Sequence, residues 1–331
     1  MKKWIPIVAA AGCSTASFQG HDDAGDVDAQ ASEIDATARD SSIDAPPGPI
    51  DASSPLPPQT SRLRIVNQCQ QPLWIAHSNN LPGEQNANLT TGQFHDYAIP
   101  AGGLASARFW PKSGCDAAGH NCRIGDSGEG GGAPCGAGGC QPPIDSKFEV
   151  TFATTGSSQA TFYNLSLVDG YTLPFDVTPV GAGAGVGSCT ESDCSRLTLD
   201  ACPTAEDLGG TVFPAYADRD LRISEVGCMS PCKEWNYPAP YGLGHAESQD
   251  PGLHLCCPTP IDPGTGNCTV ANGCMTAQAC RATSDPLSVT HTDYVQLVHA
   301  RCPTAYAYAY DDAAGLHACS ANTGFRVVFC P

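Results

Sequence analysis

Basic residues are scarce in this chain. Its 331 residues hold 16 lysines and arginines against 34 aspartates and glutamates, a formal net charge of −18. No Lys/Arg run is present to follow a phosphate backbone or an anionic bilayer. That excludes nucleic acid and anionic membrane surfaces as partners and leaves neutral or cationic ligands. Long apolar runs are lacking too: the stretch Trp4 to Ala11 falls far short of the ~20 residues that span a bilayer. The glycines between Lys112 and Cys140 are not followed by G-K-[ST], so they form no phosphate loop. The nine histidines show no H-E-x-x-H spacing, and there are no paired C-x2-C knuckles. Cys228, Cys232 and the adjacent pair Cys256-Cys257 are poorly spaced for zinc. Neither a metal nor a cofactor is expected.

Cysteine, in contrast, is abundant. Of 19 cysteines, Cys13 stands alone near the N-terminus and 18 remain, an even number that predicts nine disulfides in an oxidising compartment. Lys2 and Lys3 precede a short apolar segment, and Ala10-Ala11-Gly12 precede Cys13. This resembles a bacterial lipoprotein signal over 1–13, with Cys13 as the lipidated residue. An ordinary secretory signal cut nearby is the alternative. The expected location is therefore exported: an outer-membrane or cell-surface lipoprotein, or a secreted protein. Contact with a membrane is expected only through the lipid. Residues 14–60 carry nine carboxylates and one base, Arg39, with almost no large apolar side chain. Such a segment cannot bury enough surface to offset its ordering entropy, so it reads as a disordered acidic Asp/Ala/Pro tether.

The remaining domain, 61–331, alternates in short segments. Leu63–Asn67, Leu73–Ala76, Ala107–Trp110 and Lys147–Phe152 read as strands, with Pro111 ending the third. Ser195–Ala201 reads as a short helix. Thr292–Arg301 is the best helical pattern, with Tyr294, Leu297 and Val298 on one face and Val295 beside them. From Phe162 to Val168, Tyr163, Leu165 and Leu167 form the apolar side of a strand. Asp169-Gly170 then reverses the chain, because Gly tolerates positive φ. Asp169 thus stands at the end of a rigid strand with Tyr171 and Phe175 nearby, an arrangement suited to polar, ring-shaped ligands. A hairpin with an ordinary turn aspartate is the plainer reading.

The run Phe162-Tyr-Asn-Leu-Ser-Leu-Val-Asp-Gly-Tyr-Thr-Leu-Pro174 resembles the F-Y-D-x-S-L-V-D-G-[FY]-N-x-P of the thaumatin-like family, the pathogenesis-related family 5 type. Cys302-Pro-Thr-Ala-Tyr-Ala-Tyr-Ala-Tyr-Asp-Asp312 is similar to its C-P-x-A-Y-S-Y-x-x-D-D, and Phe325 to Pro331 looks like its closing strand. The resemblance runs from about Leu63 to Pro331. It implies an all-β fold, a flattened β-sandwich over 61–111, 141–195 and 303–331. A small disulfide loop lobe (112–140) and a disulfide-rich loop and helix lobe (196–302) would flank it. It also implies the bonds Cys69–Cys330, Cys115–Cys122, Cys189–Cys319, Cys194–Cys302, Cys202–Cys228 and Cys232–Cys256. Cys135–Cys140 is a local pair, and Cys257, Cys268, Cys274 and Cys280 are left unassigned. In the small lobe Ile124 and Ser127 depart from the family's C-x-T-G-D-C-x-G.

The family's cleft carries one Arg, one Glu and three Asp. Arg108, Glu149 (with a one-residue offset), Asp169 and Asp311 match four of these, and Asn164 stands where the other Asp is usual. With Tyr171 and Tyr310 they make a candidate ligand site. The resemblance implies a monomeric, surface-tethered or secreted protein that binds a polysaccharide, β-1,3-glucan or similar, and acts against fungal walls. One alternative is an endo-β-1,3-glucanase with Glu149 as acid and Asp169 as base, since glycoside hydrolysis needs two carboxyl groups. Asn164 weakens that alternative because an amide cannot carry the charge. The other is a surface interaction or enzyme-inhibitor protein on a disulfide scaffold. A shared fold does not decide among them.

Overall fold

Period-two alternation becomes sheet wherever one side of a strand has a second sheet to pack against. The computed structural model describes residues 56–78, 85–126, 144–181, 183–257 and 280–331. The expected signal, Cys13 and nearly all of the tether lie outside these residues, as do the pair Cys135–Cys140, Cys268 and Cys274. The first strands are β1 (Leu63–Asn67), β2 (Leu73–His77), β3 (Ala87–Leu89), β4 (Phe94–Tyr97) and β5 (Leu104–Ser113). Then come β6 (Lys147–Phe152), β7 (Thr161–Ser166), β8 (Gly170–Tyr171), β9 (Phe175–Val180) and β10 (Ser192–Asp193). A more irregular stretch holds β11 (Arg222–Ile223), β12 (Gly227–Met229), α1 (Pro231–Asn236), α2 (Gly252–Cys256) and α3 (Asp293–Arg301). The chain closes with α4 (Asp312–Gly315), β13 (His317–Cys319) and β14 (Gly324–Phe329).

Two sheets form the sandwich, one ordered β10-β9-β14-β1-β4 and the other β13-β7-β6-β5-β2-β3. β1 and β14 run parallel; the other pairs are antiparallel. Their inner faces meet through aromatic rings. Phe325 of the first sheet lies 5.6 Å from Phe148 and 4.7 Å from Tyr163 of the second, centroid to centroid. Such tilted contacts each add about 0.5–1.5 kcal/mol beyond area burial. Tyr163, Leu165 and Leu167 all face this core. A small sheet, β11-β12-β8, joins the sandwich to the disulfide-rich lobe. There Trp235, Leu208 and Leu255 make a second apolar cluster. The fold is all-β, a two-sheet sandwich rather than a barrel.

Several local expectations need correction. β5 does not end at Pro111 but runs through it to Ser113. β6 pairs with β5 only as far as Phe109↔Phe148, so the missing N–H of Pro111 falls beyond the last rung on that side. The helix expected over Ser195–Ala201 is a single 3-10 turn, Leu199–Ala201, pinned on both flanks by the disulfides of Cys194 and Cys202. β7 stops at Ser166, after which the Leu167 N–H donates to the Tyr306 carbonyl. In α3, Thr292 caps the start and Tyr294, Val295 and Val298 are buried, while Leu297 is half-buried.

Seven disulfides are formed among the described residues. They join Cys69 to Cys330, Cys115 to Cys122, Cys189 to Cys319, Cys194 to Cys302, Cys202 to Cys228, Cys232 to Cys256 and Cys257 to Cys280. The last joins two of the four cysteines that the sequence left unassigned. Cys69–Cys330 spans 261 residues and holds the loop after β1 to the end of β14. A Cys69→Ser/Cys330→Ser variant is expected to lose roughly 2–5 kcal/mol of stability, read by urea unfolding of the oxidised protein.

Glu206 caps α3 from 87 and 88 residues away, accepting from the Asp293 and Tyr294 N–H groups at 3.0 and 2.8 Å. It is only 1% exposed. Burial raises its pKa to about 7, against the opposing pull of those two hydrogen bonds. The folded protein therefore holds this proton more tightly than the unfolded chain does. The group's contribution to stability is fully present below about pH 4.5 and is lost as pH rises through about 7. Glu206→Gln keeps one acceptor and should flatten that loss, on the order of 3 kcal/mol between pH 4.5 and 8. Unfolding free energies measured across the window check this. An unchanged slope in the variant would refute it.

Candidate functional site

Alternation along β6 sends Phe148, Val150 and Phe152 into the core, so Lys147, Glu149 and Thr151 lie on the other side. The register then makes a row. Glu149 pairs with Arg108 on β5 and with Asn164 on β7. A slip of one residue would have turned Glu149 inward. Arg108 Nε lies 3.0 Å from Glu149 Oε1, with the two side chains 28% and 23% exposed. The Asn164 Oδ1 is buried and has no hydrogen-bond partner within the protein.

The row continues with a residue that the sequence reading missed. Tyr306 bridges to Ser166, two residues along β7 from Asn164 and on the same face. Its hydroxyl donates to Asp312 Oδ1 at 2.8 Å. Burial first, then the negative Asp312, Asp311 and Glu149, hold that hydroxyl well above the ordinary tyrosine range. The ring lies flat against α4, where a Cβ on Gly315 would stand 2.1 Å from the Tyr306 Cδ2. No local period marks Tyr306 out: alternation would put Tyr306, Tyr308 and Tyr310 on one face, yet Tyr308 is buried while Tyr306 and Tyr310 are half-buried.

Three expected site residues are engaged by the protein's own groups. Asp169 is not an open carboxylate. It is gripped by Lys147 Nζ and, at 3.1 Å, by Lys233 Nζ. Burial alone would raise its pKa, but the two ammonium groups outweigh that and hold it well below the usual carboxylate range. Asp169 is the residue expected to act as the base, and here its two oxygens face the two ammonium groups. Gly170 lets this turn form at φ +140°; a Cβ there would lie 2.3 Å from the Cys228 carbonyl. Asp311 is buried, with Oδ2 at 2.7 Å from His299 Nε2 and 3.0 Å from the Ala307 N–H that donates to it. Tyr171 is buried in the core, stacked on Tyr294, with its hydroxyl donating to the Thr198 carbonyl. Neither Asp311 nor Tyr171 is placed to touch a ligand. Tyr310 is half-buried, has a left-handed φ of +69°, and its carbonyl accepts from Arg281.

The three close metal-ligand-type side chains among the described residues are Cys232, Glu247 and Cys256. The two cysteines are bonded to each other, so neither offers a thiolate.

Sequence comparison bears on this arrangement. The profile of the Thaumatin family matches residues 67–249 and 253–331. The chain belongs to the thaumatin family. Among thaumatin-family relatives, thaumatin-like protein 1b of Malus domestica is 30% identical over 259 residues, covering 76% of this chain and 97% of that protein. Thaumatin-like protein 1 of Prunus persica is 27% identical over 279 residues, 82% of this chain and 90% of that one. A protein of Prunus avium named glucan endo-1,3-beta-glucosidase is 27% identical over 282 residues, 81% of this chain and 90% of its own length.

The lysine pair around Asp169 gives a test of the electrostatics. Lys147→Met leaves a largely buried carboxylate with a single partner, and should cost roughly 3 kcal/mol in urea unfolding at pH 7. Asp169→Asn/Lys147→Met together should cost less than Lys147→Met alone. A double variant no more stable than the single one would contradict the assigned pairing.

Proposed function

We propose that this thaumatin-family protein binds a neutral polysaccharide of the β-1,3-glucan class on the face built by Arg108, Glu149, Asn164 and Tyr306. The observation that carries the reading is the row itself. Cross-strand register sets a guanidinium, a carboxylate and an amide side by side, with a half-buried phenol ring at the end. Sugars present many hydroxyls and a flat apolar ring face. A fixed row of acceptors and donors beside an aromatic ring complements both. The acidic balance of the chain favours a neutral over an anionic glycan. The name of the Prunus avium relative points to the same linkage.

Binding is favoured over hydrolysis for a physical reason. Two free carboxyl groups with separated pKa values are needed to break a glycosidic bond. Here Asp169 is neutralised by two lysines and Glu149 is engaged by Arg108. We place the protein outside the cell, held by Cys13 and its acidic tether.

Co-sedimentation of the oxidised full chain with insoluble β-1,3-glucan, against cellulose and chitin, tests the reading. Selective retention on the glucan is expected, with Glu149→Gln weakening it about tenfold. Equal recovery with all three polymers, or none with any, would sink it. New reducing ends from soluble glucan would replace binding by hydrolysis.

A further inference from the structure

We infer that Tyr237 and Tyr241, on the loop that follows α1, form a second aromatic station for the same polysaccharide, so that the protein grips a run of several consecutive sugars rather than one. The inference rests on the glucan reading above and extends it from the sandwich onto the disulfide-rich lobe.

The two places are joined through Asp169. Lys147 lies on the same side of β6 as Glu149, two residues away, and its Nζ meets Asp169. Lys233 Nζ meets the other oxygen of Asp169 at 3.1 Å. One helical turn further on, Tyr237 caps α1, its N–H donating to the Lys233 carbonyl. Burial first holds the Tyr237 hydroxyl above the ordinary tyrosine range, with Lys233 pulling it down and Tyr241 and Asp145 pushing it up. Tyr237 therefore stands beside Lys233 and Asp145, across the joint from Glu149. Laid end to end, these steps measure on the order of 15–20 Å, more than one sugar ring can cover.

The loop is built to keep its shape. After Tyr237 the chain turns back on α1: the Leu243, Gly244 and His245 N–H groups donate to the carbonyls of Glu234, Tyr237 and Trp235 at 2.8, 2.9 and 3.0 Å. It runs so close that a Cβ on Gly242 would stand 2.5 Å from the Tyr237 carbonyl oxygen. Trp235 anchors the loop from below: it is buried, and its indole N–H donates to the Ala246 carbonyl at 3.0 Å. On this base the rings of Tyr237 and Tyr241 lie 6.2 Å apart, centroid to centroid, and tilted by 57°. Both are half-buried, and residues 238–240 between them are exposed. Ring faces beside the Lys233 ammonium suit a pyranose, which has an apolar face and a rim of hydroxyls. A tyrosine has only two χ angles to fix, so ordering it on binding costs little.

The test titrates the oxidised full chain by calorimetry with a disaccharide and a hexasaccharide of β-1,3-linked glucose, and records Tm for each variant. The parent is expected to bind the hexasaccharide more tightly, by roughly tenfold or more. Tyr237→Ala/Tyr241→Ala should weaken hexasaccharide binding about tenfold and leave the disaccharide, held at the Glu149 row, within about twofold. Tyr237→Phe/Tyr241→Phe keeps both ring faces and should recover most of the loss. Glu149→Gln should weaken both oligosaccharides. Parental hexasaccharide affinity in the double alanine variant overturns the inference, as does an equal loss of both oligosaccharides that follows a fall in Tm. A phenylalanine variant as weak as the alanine one overturns the role of the ring faces. A parent that binds both lengths equally, with Glu149→Gln still weakening them, defeats this inference alone. A parent that binds neither removes the glucan reading as well.

Discussion

The contact on which the site depends is the Asp169 carboxylate held between Lys147 and Lys233. Lys147 belongs to the sandwich and Lys233 to α1 of the disulfide-rich lobe, so one anion ties the two together. Opposite charges in a poorly solvated setting repel any change that would separate them, because each alone would carry its own desolvation cost. The Ser230 N–H also donates to the Asp169 carbonyl, so α1 is attached to this turn by main chain as well as side chain. The turn that the sequence singles out as a ligand site acts in the fold as a joint. Its charge is used internally.

The proposed binding face is made by regular structure rather than by that turn. Arg108, Glu149 and Asn164 come from three adjacent strands whose register is fixed by the core on their other side. A phenylalanine in each of β5 and β6 and the Tyr163 and Leu165 of β7 anchor that core. Side chains set on strands hold position better than side chains set on loops, which is the condition for recognising a ligand by direction as well as by charge. The loop that completes the face, from Tyr306 to Asp312, is then made rigid by Arg281, His299 and the packing of Tyr306 on Gly315.

Much of this was legible in the amino-acid order, and the rest failed for identifiable reasons. Period two placed Tyr163, Leu165 and Leu167 inside and, through the family resemblance, brought Arg108, Glu149 and Asn164 to one region. The family pattern named six of the seven disulfides now described, and the seventh, Cys257–Cys280, had no spacing rule to reveal it. The pairing of Asp169 was hidden because its partners are remote in sequence: nothing local announces Lys147 or Lys233. The burial of Asp311 was hidden because residues after a left-handed Tyr310 follow no period. Tyr171 looked available because a tyrosine near a turn is ambiguous until its burial is known. Pro111 misled because a missing N–H matters only where a neighbouring strand still asks for it.

β14 lies between β9 and β1 in the middle of its sheet, although it is the last strand of the chain. Every rung of β1 on one side and of β9 on one side is therefore supplied by residues 324–329. The order of synthesis and the order of assembly cannot coincide. While the chain is being made, the first strand waits for a partner that does not yet exist, and the inner face of the sheet stays wet. The sandwich closes only after residues 324–329 are available, in a step dominated by contacts far apart in sequence. A chain cut short by a single strand at its end would lose the centre of a sheet rather than its margin.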